Sequence, residues 1–143
     1  YCSIIRLGHI YHMSSIVFIK KSKQEVFDRW TKKYPSVTSL IGKLNLSTEL
    51  NLMSHLDVML SMDSANMHLA SLVGIPVVSV WGATHPYAGF MGWKQQPDHT
   101  VQLDLSCRPC SVYGQKPCFR GDYACLMQIT PRQVIEKIER IIS

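Results

Sequence analysis

Long apolar runs, export signals and internal repeats are all missing from this sequence. No stretch approaches the roughly 18 uninterrupted apolar residues of a membrane span, so we expect no transmembrane helix. Arg6, His9 and His12 interrupt the start of the chain and no small-residue cleavage site follows, which argues against a secretory signal peptide. These absences favour a globular domain that is neither exported nor embedded in a membrane.

Charged residues are also scarce, at 17% of the chain, whereas apolar residues reach 46%, which is typical of a globular fold rather than a disordered chain. A chain of this length fits one domain and can bury about two-thirds of its unfolded surface. The formal net charge is +5, and its excess falls in residues 1–50, which hold eight Lys or Arg against three acidic residues. We interpret this excess as the solvated face of a helix and expect no nucleic-acid partner.

Short apolar runs alternate with amphipathic stretches along most of the chain. The predicted elements are a strand at 16–19, a helix at 23–34, a strand at 37–41, a helix that begins near Ser47 or Thr48, a strand–helix–strand unit at 57–81, a strand at 100–105 and a helix from 130 onward. Residues 1–15 show no periodicity and form an unassigned segment. The alternation predicts an α/β fold over residues 16–143, with a Rossmann-like parallel sheet and flanking helices.

Two helix starts carry capping signals. Ser47 or Thr48 is the predicted cap of the second helix, which has Glu49 in its first turn and Leu46, Leu50 and Met53 on one face. Thr130 and Pro131 open the last helix, and Gln133 completes a capping box. We expect this helix to bury a stripe that consists of Val134, Ile135, Ile138, Ile141 and Ile142.

The strand–helix–strand unit is the most informative stretch. Its first apolar run ends in the polar cluster 63–66, its helix pattern closes at Gly74, and its second run leads to residues 82–84. Ligands of such units bind beyond the carboxyl ends of the strands, and a helix start with small residues favours phosphate there. The candidate phosphate-site residues are Asp63, Ser64, Ala65, Asn66, His68, Gly82 and Thr84. Ordinary structural roles, such as helix capping by Asp63 and Ser64, are the alternative.

The order of these residues resembles the donor-binding segment of the family 9 glycosyltransferases, which are the lipopolysaccharide heptosyltransferases and their relatives. In that family an apolar strand is followed by Asp-Ser/Thr-Gly, two residues, His, a small-residue helix, Gly-x-Pro, a second strand and Gly-x-Thr. The sequence matches at 63–70, 74–76 and 82–84, and departs at Ala65, where the family usually has Gly. If that position required a positive φ or a very close phosphate, Ala65 would weaken donor binding.

The resemblance implies a fold and an activity. The chain would correspond to the C-terminal, nucleotide-sugar-binding half of a GT-B glycosyltransferase, which moves a heptose-like sugar from a nucleotide diphosphate to a lipopolysaccharide core or another saccharide acceptor. The resemblance further implies a cytoplasmic protein with peripheral contact to the inner membrane. A non-catalytic fragment that binds a nucleotide or a partner is the alternative function.

The resemblance also assigns roles within the site. The helix start would stabilise the departing diphosphate without a metal cofactor. His68 and Thr84 would hold the phosphates, and Asp63 would orient the turn or the sugar. Glu25 is the candidate ribose contact, with a solvent-facing role as its alternative. The acid that activates the acceptor belongs to the other half of the family's cleft, so no catalytic residue is assigned.

A cluster of cysteines precedes the last helix. Cys107, Cys110, Cys118 and Cys125 follow the spacing C-x2-C-x7-C-x6-C. Four thiols with one CxxC pair suit a tetrahedral structural zinc, although the second pair lacks the spacing of a zinc ribbon. We rank reduced thiols first, a structural metal second and disulfides third.

Two further classes of protein are disfavoured. A zinc-stabilised nucleic-acid binder would rest only on the cysteines and on three basic residues of the same loop, Arg108, Lys116 and Arg120, without an aromatic platform for bases. No Gly-x-Gly-x-x-Gly motif opens a helix, which argues against a dinucleotide-dependent dehydrogenase.

Overall fold

The computed structural model describes residues 2–7, 14–19 and 24–143, with side chains from residue 25 onward. The strands are β1 Cys2–Leu7, β2 Ser14–Ile19, β3 Val37–Ser39, β4 Val58–Met62, β5 Val77–Val80 and β6 Thr100–Val101. The helices are α1 Gln24–Lys33, α2 Leu46–Met53, α3 Ala65–Leu72, α4 Ala124–Met127 and α5 Pro131–Ile142. Short 3-10 helices at Pro86–Ala88 and Pro97–His99 lie between β5 and β6.

These strands form one sheet in the order β3-β2-β1-β4-β5-β6. Strand β5 runs parallel to both β4 and β6, and β2 runs parallel to β3. Strand β1 is antiparallel to both of its neighbours, β2 and β4, so these two point in the same direction. The carboxyl ends of β2 to β6 therefore meet at one edge of the sheet, and ligands bind at this edge in such folds.

The predicted α/β architecture with flanking helices is confirmed, and neighbouring strands are parallel except where β1 is involved. Residues 1–15 show no periodic pattern, yet Cys2–Leu7 forms β1. It pairs with β2 over residues 2–7 and 14–19, and with β4, where Ile4 is opposite Leu60 and Ile5 is opposite Met59. Its sequence does not alternate strictly between apolar and polar residues, so periodicity does not predict the strand.

Helices cover both faces of the β4–β6 half of the sheet. Because side chains alternate along a strand, Met59 and Val77 point to one face, where they pack with α2 and α3. Val58, Val78 and Val101 point to the other face and pack with α5. Burial on both faces explains why β4 and β5 are almost continuous apolar runs.

The predicted strand–helix–strand unit is confirmed. Helix α3 begins at Ala65 with Ser64 as its N-cap, and Gly74 takes a φ of 82° where the chain turns back toward β5. Residues 59–62 of β4 pair in register with residues 77–80 of β5. The polar cluster 63–66 and the loop from residue 82 onward thus follow adjacent parallel strands.

Two strands are shorter than predicted. The strand expected at 100–105 is confined to Thr100–Val101, because the Leu103 carbonyl accepts a hydrogen bond from the Arg108 side chain rather than from a neighbouring strand. The strand expected at 37–41 ends at Ser39, because a turn follows in which the Lys43 N–H donates to the Leu40 carbonyl at 3.1 Å. In both places a local hydrogen bond replaces a ladder bond.

The capping predictions have mixed outcomes. Asn45 caps α2, and not Ser47 or Thr48, since the Asn45 Oδ1 accepts a hydrogen bond from the Thr48 N–H at 2.9 Å. The prediction was wrong because the helix begins one residue before Ser47. The capping box of α5 is confirmed, with Thr130 and Gln133 bonded reciprocally.

Helices α1 and α5 lie close to where the sequence predicts them. Helix α1 agrees with the helix predicted at 23–34 to within one residue at its end, and residue 23 lies outside the described residues. In α5, Ile135 is 51% exposed, whereas the other four members of the predicted stripe pack on the sheet. The helical period of 3.6 residues turns Ile135 away from the face that Val134 and Ile138 share. Within the described ranges, no helix combines the length and apolar character needed to cross a bilayer.

Candidate functional site

A cleft opens at the carboxyl edge of the sheet, between the start of α3 and the loops that follow β5 and β6. Its volume is about 250 Å³, and its lining consists of Asp63, Ser64, Ala65, Met67, His68, Thr84, Phe90, Val112 and Tyr113. Five of the seven candidate phosphate-site residues are in this set, whereas Asn66 and Gly82 are not. The structure therefore joins the two segments that the sequence pattern indicates and adds a third, residues 112–113.

The start of α3 presents the positive end of an eight-residue helix to the cleft. Ser64 occupies the N-cap position with extended backbone, but its side chain accepts no hydrogen bond from the first turn. Its Oγ lies 3.1 Å from the Oγ of Ser61 instead. The cap hydroxyl therefore does not compete with an anion for the start of α3.

Ala65 lies in the first turn of α3 and lines the cleft. In the described part of the chain, Lys94 and Tyr123 are the only non-glycine residues with a positive φ. A positive φ is therefore not a reason for glycine at position 65. Ala65 therefore differs from the glycine usual in the family only by a steric effect, because its methyl group occupies space at the mouth of the site.

Asp63 connects the end of β4 to the neighbouring strand. Its N–H donates to the Val80 carbonyl at 3.3 Å, which continues the β4–β5 pairing by one residue. Burial raises the pKa of the Asp63 carboxyl, while a backbone hydrogen bond and the positive charge of Arg108 act in the opposite direction. The carboxylate is therefore partly desolvated at the edge of the cleft and feels the Arg108 charge.

Gly82 is needed for packing rather than for lining the cleft. A Cβ at this position would lie 2.8 Å from the Leu126 Cγ and about as close to both Leu126 methyl groups. Glycine thus lets α4 approach the end of β5. Gly82 faces α4 and is not in the cleft lining, so its contact with the ligand stays a prediction.

Thr84 is buried and is tied to the segment between the cysteines. Its hydroxyl donates to the Val112 carbonyl at 2.7 Å. The single hydroxyl proton is thereby used, so a phosphate oxygen would have to displace Val112 to receive it. The hydrogen bond also explains how residues 112–113 come to form a wall of the cleft.

Aromatic rings form the side of the cleft opposite α3. The rings of Phe90 and Tyr113 lie 5.5 Å apart with an interplanar angle of 49°. His68 faces them from α3 with an exposed side chain. Tyr113 carries no recognisable local signal in the sequence, because its place depends on the path of the cysteine-bearing loop.

Arg108 is the main residue of the site that the sequence analysis does not single out. It is counted there only as one of three basic residues of the loop. The structure places its half-buried guanidinium outside the cleft lining, where it donates to the carbonyls of Gly82, Thr84 and Leu103 and to the Gln102 side chain.

Glu25, the candidate ribose contact, stands apart from the cleft. It is exposed in the first turn of α1, which follows β2, and β1 separates β2 from β4 in the sheet. The carboxyl ends of β2 and β4 share one edge, so Glu25 lies on the ligand side of the sheet. It is absent from the cleft lining, and its role in ribose binding stays a prediction.

The four clustered cysteines are free thiols in one region of the surface. Cys107, Cys110 and Cys118 are half-buried in the loop, and Cys125 is buried in α4. Burial raises the pKa of Cys110, and the three other thiols raise it further. The described residues contain no group of three or more His, Cys, Asp or Glu placed to hold a metal ion. The thiols are thus neighbours, and a structural zinc among them stays a prediction.

Comparison with curated proteins identifies the relatives of this chain. Residues 10–117 match the sequence model of glycosyltransferase family 9 (heptosyltransferase). The chain is 27% identical to lipooligosaccharide heptosyltransferase 2 of Campylobacter jejuni, over 82% of this chain and 36% of that protein. It is 26% identical to the protein of the same name from Haemophilus influenzae, over 73% of this chain and 29% of that protein. The chain therefore spans about a third of the length of these relatives.

Solved structures share the fold. The Escherichia coli ADP-heptose lipopolysaccharide heptosyltransferase II is similar with a TM-score of 0.65 and 19% identity, over 89% of this chain and 35% of that one. TibC, a bacterial iron-containing dodecameric glycosyltransferase from enterotoxigenic Escherichia coli, is similar with a TM-score of 0.60 and 23% identity, over 75% and 30%. The sheet thus corresponds to part of a GT-B enzyme. Because the family match covers well over half of the chain, this protein belongs to glycosyltransferase family 9.

Proposed function

We propose that this chain binds the nucleotide-sugar donor of a glycosyltransferase that moves a heptose-like sugar to a lipopolysaccharide or another saccharide acceptor. The observation that carries the proposal is the cleft in which the start of α3 meets Thr84 at the carboxyl ends of β4 and β5. Membership of family 9 supports the reaction class, and the relatives named as lipooligosaccharide heptosyltransferases support the donor and acceptor classes.

The diphosphate of the donor lies at the start of α3 in this proposal. During transfer the bond between the sugar carbon and the phosphate oxygen breaks, and its electron pair stays on the diphosphate. The negative charge that develops there is stabilised by the positive end of the helix, with no requirement for a metal cofactor. His68 reaches the phosphates from the first turns of α3, and Thr84 donates to them through its backbone N–H, because its hydroxyl proton is used by Val112.

Asp63 suits the sugar better than the phosphates. A carboxylate accepts hydrogen bonds from sugar hydroxyl groups, whereas two anions in contact repel each other. Its partial burial beside Arg108 keeps it fixed at the end of β4. We therefore assign Asp63 to the orientation of the donor sugar.

The same proposal implies a type of acceptor and a cellular location. The acceptor hydroxyl attacks the sugar carbon and loses its proton to a base that is not among the residues assigned here. A lipid-linked saccharide acceptor would bring the protein to the cytoplasmic side of the inner membrane, as a peripheral protein. The cysteine loop contributes structure rather than chemistry, with reduced thiols as the resting state and a structural zinc as the alternative.

A non-catalytic role is the second candidate function. The Ala65 methyl group at the mouth of the cleft favours it, because family members usually have glycine at this position and a bulkier residue would keep the diphosphate farther from the helix start. In that case the chain would bind a nucleotide or a partner without turnover.

Calorimetric titration with ADP, GDP and UDP tests the donor site. We expect at least one of them to bind, and we expect His68→Ala to weaken that binding by about tenfold, as for the loss of one charge-assisted contact. His55→Ala is the matched control, because His55 is exposed at the end of α2 and outside the cleft. Binding that His68→Ala and His55→Ala leave equally strong would contradict the proposed site.

A further inference from the structure

The loop at 82–84 has all three of its backbone carbonyls bonded to the segment that bears the cysteines. The Gly82 carbonyl accepts a hydrogen bond from the Arg108 Nε at 2.5 Å, and the Thr84 carbonyl accepts one from the Arg108 Nη2 at 2.9 Å. Between them, the Ala83 carbonyl accepts one from the Cys110 N–H at 2.8 Å. Arg108 therefore accounts for two of the three bonds that fix this loop.

These bonds also set the direction of the peptide N–H groups. The peptides of this loop are trans, and in a trans peptide the N–H points opposite to the carbonyl. Since the Gly82 and Ala83 carbonyls point to the cysteine loop, the N–H groups of Ala83 and Thr84 point away from the groups that bind those carbonyls. Within the described residues these two N–H groups donate to no acceptor. Unpaired N–H groups on successive residues can both donate to an anion.

Arg108 also ties the ends of two strands together. Its Nη1 donates to the Leu103 carbonyl, and its Nη2 donates to the Gln102 Oε1 at 3.1 Å, so the residues after β6 are bound to the loop after β5. A planar guanidinium with five N–H groups can serve these four acceptors at once. A lysine has three donors on one nitrogen and cannot span them.

The charge of Arg108 is not cancelled by a carboxylate in contact. In the described part of the chain, Arg120 pairs with Asp122 and Arg132 pairs with Glu136, both at 2.8 Å, whereas Arg108 has no carboxylate within 4.0 Å. Its charge reaches the cleft, because it lowers the pKa of Asp63 against the effect of burial. A half-buried cation that is hydrogen-bonded only to neutral groups favours an anion nearby.

We propose that Arg108 is a positioning residue of the donor site, which holds the 82–84 loop in its phosphate-binding shape and contributes positive charge to the bound diphosphate. This inference rests on the proposed function for the identity of the anion. The loop is shaped before the ligand arrives, so binding does not bear the cost of ordering it.

The test compares Arg108→Gln, which removes the charge and the hydrogen bonds, with Arg108→Lys, which keeps the charge but lacks the planar guanidinium that bonds several acceptors. Arg120→Gln is the matched control, since Arg120 is an exposed arginine of the same loop. Ile138→Ala, in the packed face of α5, controls for a general loss of stability away from the loop. The readouts are backbone amide shifts and hydrogen exchange of residues 82–84 without ligand, and the dissociation constant of the nucleoside diphosphate that binds best.

Both Arg108 variants should shift the amides of residues 82–84 and speed their exchange, whereas the two controls should not. The nucleoside diphosphate should bind about tenfold more weakly to Arg108→Gln and only about threefold more weakly to Arg108→Lys, which retains the charge. Should Arg108→Gln fail to fold, the Arg108→Lys amides still decide the positioning role.

Amides of residues 82–84 that are the same in wild type and both Arg108 variants would overturn the positioning role, whatever the ligand does. Normal nucleotide affinity in Arg108→Gln would also overturn it. If the amides shift but the wild type binds no nucleoside diphosphate, the proposed function and the charge effect fail while the loop positioning stands.

Discussion

The pKa of the Asp63 carboxyl, at the end of β4, is subject to opposing effects. Burial raises the pKa, while a backbone hydrogen bond and Arg108 lower it, and burial dominates. An acid whose pKa is higher in the folded state than in the unfolded state lowers stability as it ionises. The loss of folding stability is absent below the pKa of the unfolded state, about 3.9, and reaches its full size above the pKa of the folded state. Stability therefore falls as the pH rises through that interval.

Asp63→Asn should therefore raise the Tm at neutral pH and change it little near pH 3, which calorimetric melts at the two pH values would show. If Asp63 orients the sugar, the same variant should weaken a nucleotide sugar more than the corresponding nucleoside diphosphate. Asp98→Asn, at an exposed carboxylate outside the cleft, is the control. Equal losses for both ligands would show that Asp63 does not act on the sugar.

Ala65 is the position at which the cleft departs from the family pattern. Ala65→Gly should tighten nucleoside diphosphate binding, because removal of the methyl group lets the phosphates approach the helix start. Glycine in the first turn should lower the free energy of unfolding by up to about 1 kcal/mol. Calorimetry and urea denaturation would measure both effects. Ala70→Gly, buried in the same helix, should lose stability without a gain in affinity.

Site residues that belong to a local sequence pattern could be predicted, whereas site residues that are defined by contacts with distant parts of the chain could not. Asp63, Ser64 and Ala65 follow a buried strand and start a helix, and that signal is complete within a few positions. Arg108 bonds to Gly82 and Thr84 across a long stretch of chain, so nothing near it in the sequence distinguishes it from an exposed basic residue. The same holds for Tyr113 as a wall of the cleft.

At the scale of elements, the contact between α4 and the end of β5 fixes the back of the site. Gly82→Ala should lower the free energy of unfolding by about 1–3 kcal/mol, because its methyl group would overlap Leu126. Leu126→Ala should relieve this overlap, so the double variant should be more stable than the sum of the two single effects predicts. Urea denaturation of the four proteins measures the coupling. Strict additivity would show that Gly82 is required for another reason.

The elements themselves could be predicted wherever burial leaves a periodic pattern. The strand–helix–strand unit and α5 were located from apolar runs, a glycine break and a capping box. Strand β1 could not be located, because only its pairing with β2 and β4 defines it. Strand β6 was overestimated, because the Leu103 carbonyl bonds to the Arg108 side chain instead of extending the ladder.

At the scale of the whole molecule, the sheet brings three separate segments to one edge. Residues 63–68 follow β4, residues 82–84 follow β5, and residues 108–113 follow β6, so the parallel order β4-β5-β6 assembles the cleft. The segment after β6 carries the cysteines, and it contacts the 82–84 loop through Arg108, Cys110 and Val112. Whether the thiols are reduced or bind a metal therefore matters for the site, because their segment contacts it.

The thiols should be reduced and unequal in reactivity. A backbone hydrogen bond to Tyr123 lowers the pKa of Cys118, whereas burial raises the pKa of Cys110. Because the thiolate is the reactive form, iodoacetamide near pH 8 should modify Cys118 faster than Cys110. Peptide mass spectrometry of the folded chain gives the rates. Four protected cysteines together with one equivalent of zinc by elemental analysis would support the structural metal instead.

The binding of a nucleoside diphosphate is tested most directly by amide NMR of the 15N-labelled chain during a titration. The donor site predicts saturable shifts concentrated at residues 63–68 and 82–84, where the helix start and the outward N–H groups meet the phosphates. Shifts confined to the cysteine loop, with residues 63–68 and 82–84 unaffected at saturation, would contradict the donor site.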